Sequence, residues 1–333
     1  MIPGQSARPL YPVIVNALFC RSLRWFQAFA LQGSLRMLCS TILNGKQLPP
    51  EQSQVVVPWW SFTKTVLAAA ALSLVRDGLI QLDDHVQEGQ FTLRQLLKHQ
   101  AGLADYPELE EYYVAVAEGQ APWSADEMMQ RLDGARLRYA PGAGWRYSNV
   151  GYMLVARLIE RVTGVSLGTA LTQRVLSPLG LTHTRLAKKQ EDLDEVYLGA
   201  IESYHPGWVY HGLLVGPLSE ATMLLNKLLT GKLLPSSLLH EMHDAIVLGG
   251  PMQGRPWASP GYGLGLMIGG TKSGHMLVGH TGVGPGGVIA VFHYSSGNNA
   301  ATCSAFREGS DEGGVEAQVL ERLLAAVGTC EDR

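Results

Sequence analysis

Ser61 and Lys64 stand three residues apart at the start of an apolar segment, TVLAAAALSLV, whose composition is typical of a buried helix. On a helix, residues i and i+3 lie side by side, so Lys64 can accept the Ser61 proton if burial lowers the pKa of the amine. Free N–H groups at the helix start also suit a developing oxyanion. S-x-x-K alone is a weak signal, because the motif more often consists of a serine that caps a helix and a lysine on the surface. A lysine inside this helix needs a partner, however, and we therefore predict a nucleophilic serine.

A second group of reactive side chains is Tyr147-Ser148-Asn149, between the loop YAPGAGWR and a predicted helix from Gly151. A phenol at such a corner can move protons when neighbouring cations lower its pKa, and an asparagine can orient a substrate amide. The alternative is an ordinary turn with a stacked tyrosine.

His280-Thr281-Gly282 lies on a strand-like segment, HMLVGHTGVGPGGVIAVF. An exposed strand edge presents backbone N–H and C=O groups to an extended acyl substrate, and the His280 and Thr281 side chains can contact a carboxylate or carbonyl. A hairpin with a structural histidine is the alternative. The neighbouring GVGPGG does not predict a phosphate loop, because a strand rather than a helix follows it.

The segment Gly164 to Gly168 matches G-x-S-x-G, the nucleophile elbow of α/β-hydrolases. That motif requires a strand before its serine, whereas here a predicted helix precedes it. We expect Ser166 to cap the next helix instead.

Composition and charge exclude several classes of partner. The chain has 333 residues, 46% of them apolar and 17% charged, with a formal net charge of -3 and 38 glycines. It has no run of Lys or Arg, so we expect a small-molecule substrate and no nucleic acid. The four cysteines lack metal-type spacing, and neither a metal nor another cofactor is expected.

No apolar run is long enough to span a membrane. Leu10 to Phe19 is a short apolar stretch that contains Pro12 and Asn16 and lacks a cleavage site, and we expect a core helix there. The sequence favours a cytoplasmic location, with a periplasmic or secreted one as the alternative.

Strand-like runs occur at both ends of the chain. Leu23 to Leu31 and Ser34 to Leu43 predict a hairpin, short β-type runs such as YGLGLMI and GVIAVFHY follow Gly261, and Val315 to Val327 predicts a closing helix. The middle of the chain is helical. We therefore predict an α+β fold, in which residues 1–90 and 255–333 form a sheet lobe, residues 91–254 form a mainly helical lobe, and the active site lies between them.

The three motifs, in this order along the chain, resemble those of the serine β-lactamase and penicillin-binding-protein superfamily. Tyr-Ser-Asn in place of S-D-N is similar to the class C branch, which includes D-alanyl-D-alanine carboxypeptidases and esterases. The segments LRQLLKHQAGLADYP, YAPGAGWRYSNVGYMLVARLIERVTG and LSPLGLTHT extend the resemblance, which covers about Leu23 to Val327. It implies a β-lactamase/transpeptidase-like fold, with an antiparallel sheet built from both chain ends and flanked by helices.

The resemblance also implies roles for the motif residues. Ser61 would be the acylated nucleophile, Lys64 its general-base neighbour, Tyr147 a proton shuttle to the leaving group and Asn149 a substrate-orienting residue. Whether Lys64 or Tyr147 is the base stays open, because the two would titrate as a coupled pair.

At the strand, His280 and Thr281 occupy the Lys-Thr of the K-T-G motif, and the N–H groups of Ser61 and Val283 would form the oxyanion hole. His280 departs from the lysine of β-lactamases. Since histidine is largely neutral at pH 7, it would attract a substrate carboxylate less. Trp59-Trp60, directly before the serine, would either line an acyl pocket or pack in the core.

Together these observations predict a serine hydrolase that acts through an acyl-enzyme on small esters or amides, of esterase, β-lactamase or D-amino-acid peptidase type. The alternatives are acyl transfer to an alcohol or amine, and a non-catalytic binding protein that retains the fold.

Overall fold

The computed structural model describes residues 37–49, 54–87 and 89–328. The helix predicted over Leu10 to Phe19 and the first strand of the predicted hairpin lie outside these residues. The described chain combines helices with antiparallel sheets, and the prediction of an α+β fold is confirmed.

The main sheet has eight strands in the order β2-β1-β11-β10-β9-β8-β7-β6, and each described pair is antiparallel. Strands from the two ends of the chain meet where β1 pairs with β11, with Leu38 opposite Phe306. The strands of this sheet are β1 (Leu38–Leu43), β2 (Lys46–Gln47), β6 (Ile246–Val247), β7 (Trp257–Tyr262), β8 (Met267–Thr271), β9 (Met276–Gly284), β10 (Gly287–Ser296) and β11 (Asn299–Glu308).

A second, three-stranded sheet was not predicted. It has the order β3-β5-β4 and consists of β3 (Val56–Pro58), β4 (Arg185–Ala187) and β5 (Leu213–Pro217). These strands are too short for the period-2 alternation that identifies a strand in a sequence. β3 directly precedes the Ser61 turn, so this small sheet supports the approach to the predicted nucleophile.

Helices lie on both sides of the main sheet, and their bounds are α1 (Thr63–Arg76), α2 (Leu93–Leu97), α3 (Glu110–Ala117), α4 (Ala125–Arg131), α5 (Asn149–Thr163), α6 (Leu167–Leu171), α7 (Leu218–Leu229), α8 (Ser236–His243) and α9 (Glu312–Gly328). In α1, every residue from Thr63 to Leu74 is buried, as its apolar composition predicts. Ser124 and Ser166 cap α4 and α6, so Ser166 is a helix cap as expected.

Alternate residues of β10 face the two helical layers. Ile289 and Val291 belong to the large core that contains α1 and α7, whereas Val288 and Phe292 belong to the core beneath α9. The sheet therefore lies between α9 on one face and the core that contains α1 and α7 on the other. The predicted lobe limits, 1–90 with 255–333 and 91–254, stay a prediction. Two elements within 91–254 belong with the main sheet: α7 packs against it, and β6 is its edge strand.

The prediction of one strand-like run over YGLGLMI was wrong. β7 ends at Tyr262 and β8 begins at Met267, with a turn between them. Gly265 in this turn has φ +74°, and a Cβ there would lie 2.4 Å from the Ala68 Cβ of α1. The glycine thus turns the chain and allows it to approach the buried helix.

Within the described ranges, no helix combines the length and the apolar character needed to cross a membrane.

Candidate active site

Ser61 lies in a 3₁₀ turn, Trp60–Phe62, that leads directly into α1. Trp60 has φ +42°, a left-handed conformation that is costly for a bulky side chain and is retained where the surroundings enforce it. Its ring packs at 5.4 Å from the Tyr204 ring and covers Gly284, where a Cβ would lie 2.4 Å from the indole. Trp59 and Trp60 are both buried, so they pack in the core and fix the Ser61 turn.

Lys64 lies in the first turn of α1 and is fully buried. Its Nζ lies 3.1 Å from Ser61 Oγ, 2.7 Å from Asn149 Oδ1 and 3.2 Å from His211 Nε2. The structure therefore brings Ser61, Lys64 and Asn149 into direct contact, across 85 residues of sequence between the lysine and the asparagine.

Burial lowers the pKa of Lys64 from 10.5 to about 7, and the negative charge of Asp105 partly opposes this shift. A large fraction of the amine is thus neutral at neutral pH. A neutral amine next to a serine hydroxyl can accept its proton, so the lowered pKa of Lys64 favours this residue as the base for Ser61.

Tyr147 is hydrogen-bonded to the Ser61 side chain, and its ring centroid lies 4.9 Å from Lys64 Nζ. Burial raises the pKa of Tyr147 well above 10. The condition that cations lower this pKa is therefore not met: desolvation outweighs the hydrogen bond with Ser61, and Tyr147 stays a phenol. The His99 ring packs against it at 4.3 Å between centroids.

Asn149 begins α5 and is oriented by Asp105. Its backbone N–H and its side-chain amide both donate to the Asp105 carboxylate, at 2.8 and 3.0 Å, which leaves Oδ1 facing Lys64. Burial raises the pKa of Asp105 to about 7, while the hydrogen bonds from Asn149 and the charge of Lys64 act in the opposite direction. Asp105, Asn149 and Lys64 thus form one hydrogen-bonded relay.

His280 lies on β9 and is held as a neutral ring. Its Nδ1 lies 2.7 Å from the Thr281 carbonyl oxygen, so Nδ1 carries the hydrogen and Nε2 accepts from the Tyr262 hydroxyl at 3.0 Å. Burial lowers the pKa of His280 to about 3, and the charge of Lys64 adds to this shift. The expectation that His280 carries little charge at pH 7 agrees with this environment.

Thr281 connects the strand to the closing helix α9. Its hydroxyl donates to Glu316, a fully buried carboxylate that also accepts from Arg255 and from the Trp257 indole. Arg255 pairs with Glu312 as well. This network anchors β9 from the side opposite Ser61.

Val283 lies two residues further along β9, opposite Val288 of β10. On the other edge, β8 pairs with β9 only as far as Gly279, so in the described chain no strand covers β9 beside Val283. A Cβ at Gly282 would lie 2.7 Å from Ser61 N, which places the β9 backbone directly beside the serine.

Asp105, His211 and Tyr262 were not predicted as site residues. Asp105 lies in LRQLLKHQAGLADYP, which carries the family resemblance but predicts no role for Asp105, whereas His211 lies in no motif. Asp105 contacts Asn149, and His211 contacts Lys64, only because the fold brings distant segments of the chain together.

Among residues 37–49, 54–87 and 89–328, His, Cys, Asp and Glu side chains form no group of three or more that could hold a metal ion. The arrangement offers a serine, a neutral amine, a phenol and an open strand edge, which are the groups that acyl transfer requires.

Comparisons with known proteins agree with this geometry. The sequence model of the Beta-lactamase family matches residues 42–321. Penicillin-binding protein 4* of Bacillus subtilis is 27% identical over 162 residues, which cover 45% of this chain and 34% of that protein. Lovastatin esterase of Penicillium rubens is 28% identical over 176 residues, which cover 44% of this chain and 43% of that enzyme. The matches thus span less than half the length of these curated relatives.

The solved structure of D-amino acid amidase from Ochrobactrum anthropi SV3, complexed with L-phenylalanine, is similar with a TM-score of 0.72 at 22% sequence identity. The superposition covers 89% of this chain and 94% of the amidase. This likeness confirms the predicted β-lactamase/transpeptidase-like fold.

Proposed function

The chain belongs to the Beta-lactamase family, and from this membership we propose that it is a serine hydrolase that forms an acyl-enzyme on Ser61. The observation that carries the proposal is the contact between Ser61 Oγ and the buried amine of Lys64, at 3.1 Å. A lysine whose pKa is lowered to about 7 is matched to proton transfer at neutral pH.

In the acylation step, neutral Lys64 accepts the Ser61 proton while Oγ attacks the substrate carbonyl. The carbonyl oxygen becomes an oxyanion and accepts hydrogen bonds from the N–H groups of Ser61 and Val283. The open edge of β9 and its close approach to Ser61 N at Gly282, where an added Cβ would lie 2.7 Å away, support this pair as the oxyanion hole.

When the tetrahedral intermediate collapses, the leaving alcohol or amine takes a proton from Tyr147, and Lys64 returns the serine proton to Tyr147. The raised pKa of Tyr147 supports this role, because a neutral phenol can donate. Water then attacks the acyl-enzyme, Lys64 accepts its proton, and the proton passes to Ser61 as the carboxylic acid leaves. Asn149 orients the substrate and Lys64 throughout.

The substrate class that we propose is a small ester or amide without a carboxylate beside the scissile bond. His280 is neutral and its two nitrogens are occupied by Tyr262 and the Thr281 carbonyl, so His280 offers no positive charge to a substrate carboxylate. The side chains of His280 and Thr281 are buried and hydrogen-bonded within the protein, so the β9 backbone at these residues, rather than their side chains, would contact the acyl part of the substrate. The names of an esterase and an amidase among the similar proteins also support this class.

A fluorophosphonate probe tests the nucleophile. We expect one adduct on Ser61, found by peptide mass mapping, and its loss in Ser61→Ala. Ser166→Ala is a matched control, because Ser166 caps α6 within the G-x-S-x-G sequence. An adduct on Ser166, or full ester hydrolysis by Ser61→Ala, would overturn the proposal.

A substrate screen tests the class. We expect p-nitrophenyl esters of short acyl chains to be hydrolysed with a higher kcat/KM than nitrocefin, a β-lactam that carries a carboxylate. D-alanyl peptides provide the amide comparison. A preference for nitrocefin would contradict the proposed substrate class without affecting the assignment of Ser61.

A cytoplasmic location stays a prediction, which fractionation of the native cells would test.

A further inference from the structure

His211 is a buried histidine that the proposed mechanism does not use. It is 2% exposed, and its Nε2 lies 3.2 Å from Lys64 Nζ. Its Nδ1 is buried with no hydrogen-bond partner in the described structure. A buried polar atom without a partner is costly, so retaining a histidine here needs a compensating role for its other nitrogen.

The position of His211 is fixed by the small sheet. Gly212, with φ +92°, turns the chain into β5, and the Leu214 N–H donates to the Thr63 hydroxyl at 3.2 Å. The Leu214 carbonyl accepts from the Trp59 N–H at 2.8 Å. β5 is therefore tied to residues on both sides of Ser61, and the His211 ring is held at a fixed distance from Lys64.

The hydrogen-bond capacity of the lysine matches its three partners in both charge states. A neutral amine has two N–H donors and one lone pair, whereas an ammonium has three donors. If Asn149 Oδ1 and His211 Nε2 accept hydrogen bonds from the two N–H groups, the lone pair of the Lys64 amine faces Ser61 Oγ. After the proton moves to the nitrogen, the same three atoms accept the three N–H groups of the ammonium.

We propose that His211 is a positioning residue for Lys64, which aims the lone pair of the neutral amine at Ser61 and accepts a hydrogen bond from the ammonium that forms. The inference rests on the proposed function. In this step the Ser61 O–H bond breaks and an N–H bond forms on Lys64, while His211 neither gains nor loses a proton.

The groups around Lys64 and His211 are compatible with a positioning role for His211. Lys64 is faced by Asp105 and His99 from one segment, by Tyr147 from the residues before α5, and by His280 from β9. Burial, followed by the charge of Lys64, lowers the pKa of His211 well below 6.5. His211 is therefore a neutral acceptor over the pH range in which Lys64 titrates, and it does not compete for the serine proton.

The test measures the rate at which a fluorophosphonate modifies Ser61 as a function of pH, which requires nucleophile activation but no knowledge of the substrate. His211→Leu removes the acceptor, and His211→Gln places an amide oxygen near the position of Nε2. We expect His211→Leu to slow labelling about 10- to 100-fold and to move the acidic limb about one unit to lower pH, because the ammonium loses an acceptor. We expect His211→Gln to lose less than about fivefold.

His205→Leu is the matched control, since His205 lies in the same loop and contacts Gly207 rather than Lys64. Circular dichroism establishes that each variant is folded. Wild-type labelling speed and an unmoved acidic limb in His211→Leu would overturn the role of His211 alone, as would equal slowing in His205→Leu, His211→Leu and His211→Gln. If the wild type itself is not labelled at Ser61, the proposed function fails and this inference fails with it.

Discussion

Lys64 depends on residues from distant parts of the chain for its chemistry. Asp105 raises the pKa of the amine by its charge, whereas burial lowers it more strongly. Because the two groups are coupled, the acidic limb of activity reports both of them. The proposed mechanism requires neutral Lys64, so kcat/KM should fall as pH decreases through about 7.

Asp105→Asn tests this balance. It removes the negative charge that favours the ammonium, so the pKa of Lys64 falls further and the acidic limb should move about one unit to lower pH. The measurement is kcat/KM for a p-nitrophenyl ester as a function of pH. Asp244→Asn is the control, because Asp244 pairs with the remote Lys98. A shift to higher pH would show that Asp105 does not stabilise the ammonium.

At the residue scale, the spacing of Ser61 and Lys64 and the apolar segment around the lysine together singled out the two residues, because helix geometry makes i and i+3 neighbours in any chain. The same reasoning cannot find His211, which is 147 residues from Lys64 and reaches it through a loop before a five-residue strand. Nor could it give the direction in which the pKa of Tyr147 shifts, since the degree of burial of a loop residue depends on the whole fold.

At the scale of elements, β9 must lie against the Ser61 turn with no side chain between them. A Cβ at Gly282 would lie 2.7 Å from both Ser61 N and the Trp59 carbonyl oxygen. We expect Gly282→Ala to destabilise the fold by about 1–3 kcal/mol and to lower kcat about 100-fold, because the turn must move away from the strand. Gly328→Ala, at the end of α9 with no atom in reach of the added Cβ, is the control. Unchanged kcat in Gly282→Ala would show that this contact does not position Ser61.

The buried carboxylate of Glu316 joins α9 to β7 and β9 through Arg255, Trp257 and Thr281. Glu316→Gln leaves Arg255 with one carboxylate partner fewer, and we expect the free energy of unfolding to fall by about 3 kcal/mol. Urea denaturation measures this change, and Glu321→Gln on the exposed face of α9 is the control. Equal midpoints for the two variants would show that the network contributes little to stability.

Long elements with a marked apolar pattern were predicted well, such as α1, α5 and β10. Short elements were missed: β3, β4 and β5 have three to five residues each, and pairing rather than a sequence pattern stabilises them. The turn between β7 and β8 was also missed, since Gly265 looks like any strand glycine until α1 is known to lie against it.

At the scale of the whole molecule, the sheet is complete only when both ends of the chain are present. β11 lies between β1 from the start of the described chain and β10 from its last third, and α9 covers the face that β10 and β11 present. Helix α1, which follows the Ser61 turn, packs on the other side of the same sheet. The distribution of strand-like runs predicted that both ends of the chain build one sheet. It did not predict the order of the strands in that sheet.

Truncation after Gly297 should therefore abolish the fold rather than yield a smaller stable domain. It removes β11 and α9, leaves β1 and β10 without a partner between them, and exposes the apolar side chains of the core beneath α9, including Val288 and Phe292. We expect the truncated chain to be insoluble or to lack a cooperative thermal transition, and to show no fluorophosphonate labelling of Ser61. The full chain, purified in parallel, is the reference. A soluble truncated protein with a cooperative transition and labelled Ser61 would show that the serine turn and its helix need only the central part of the chain.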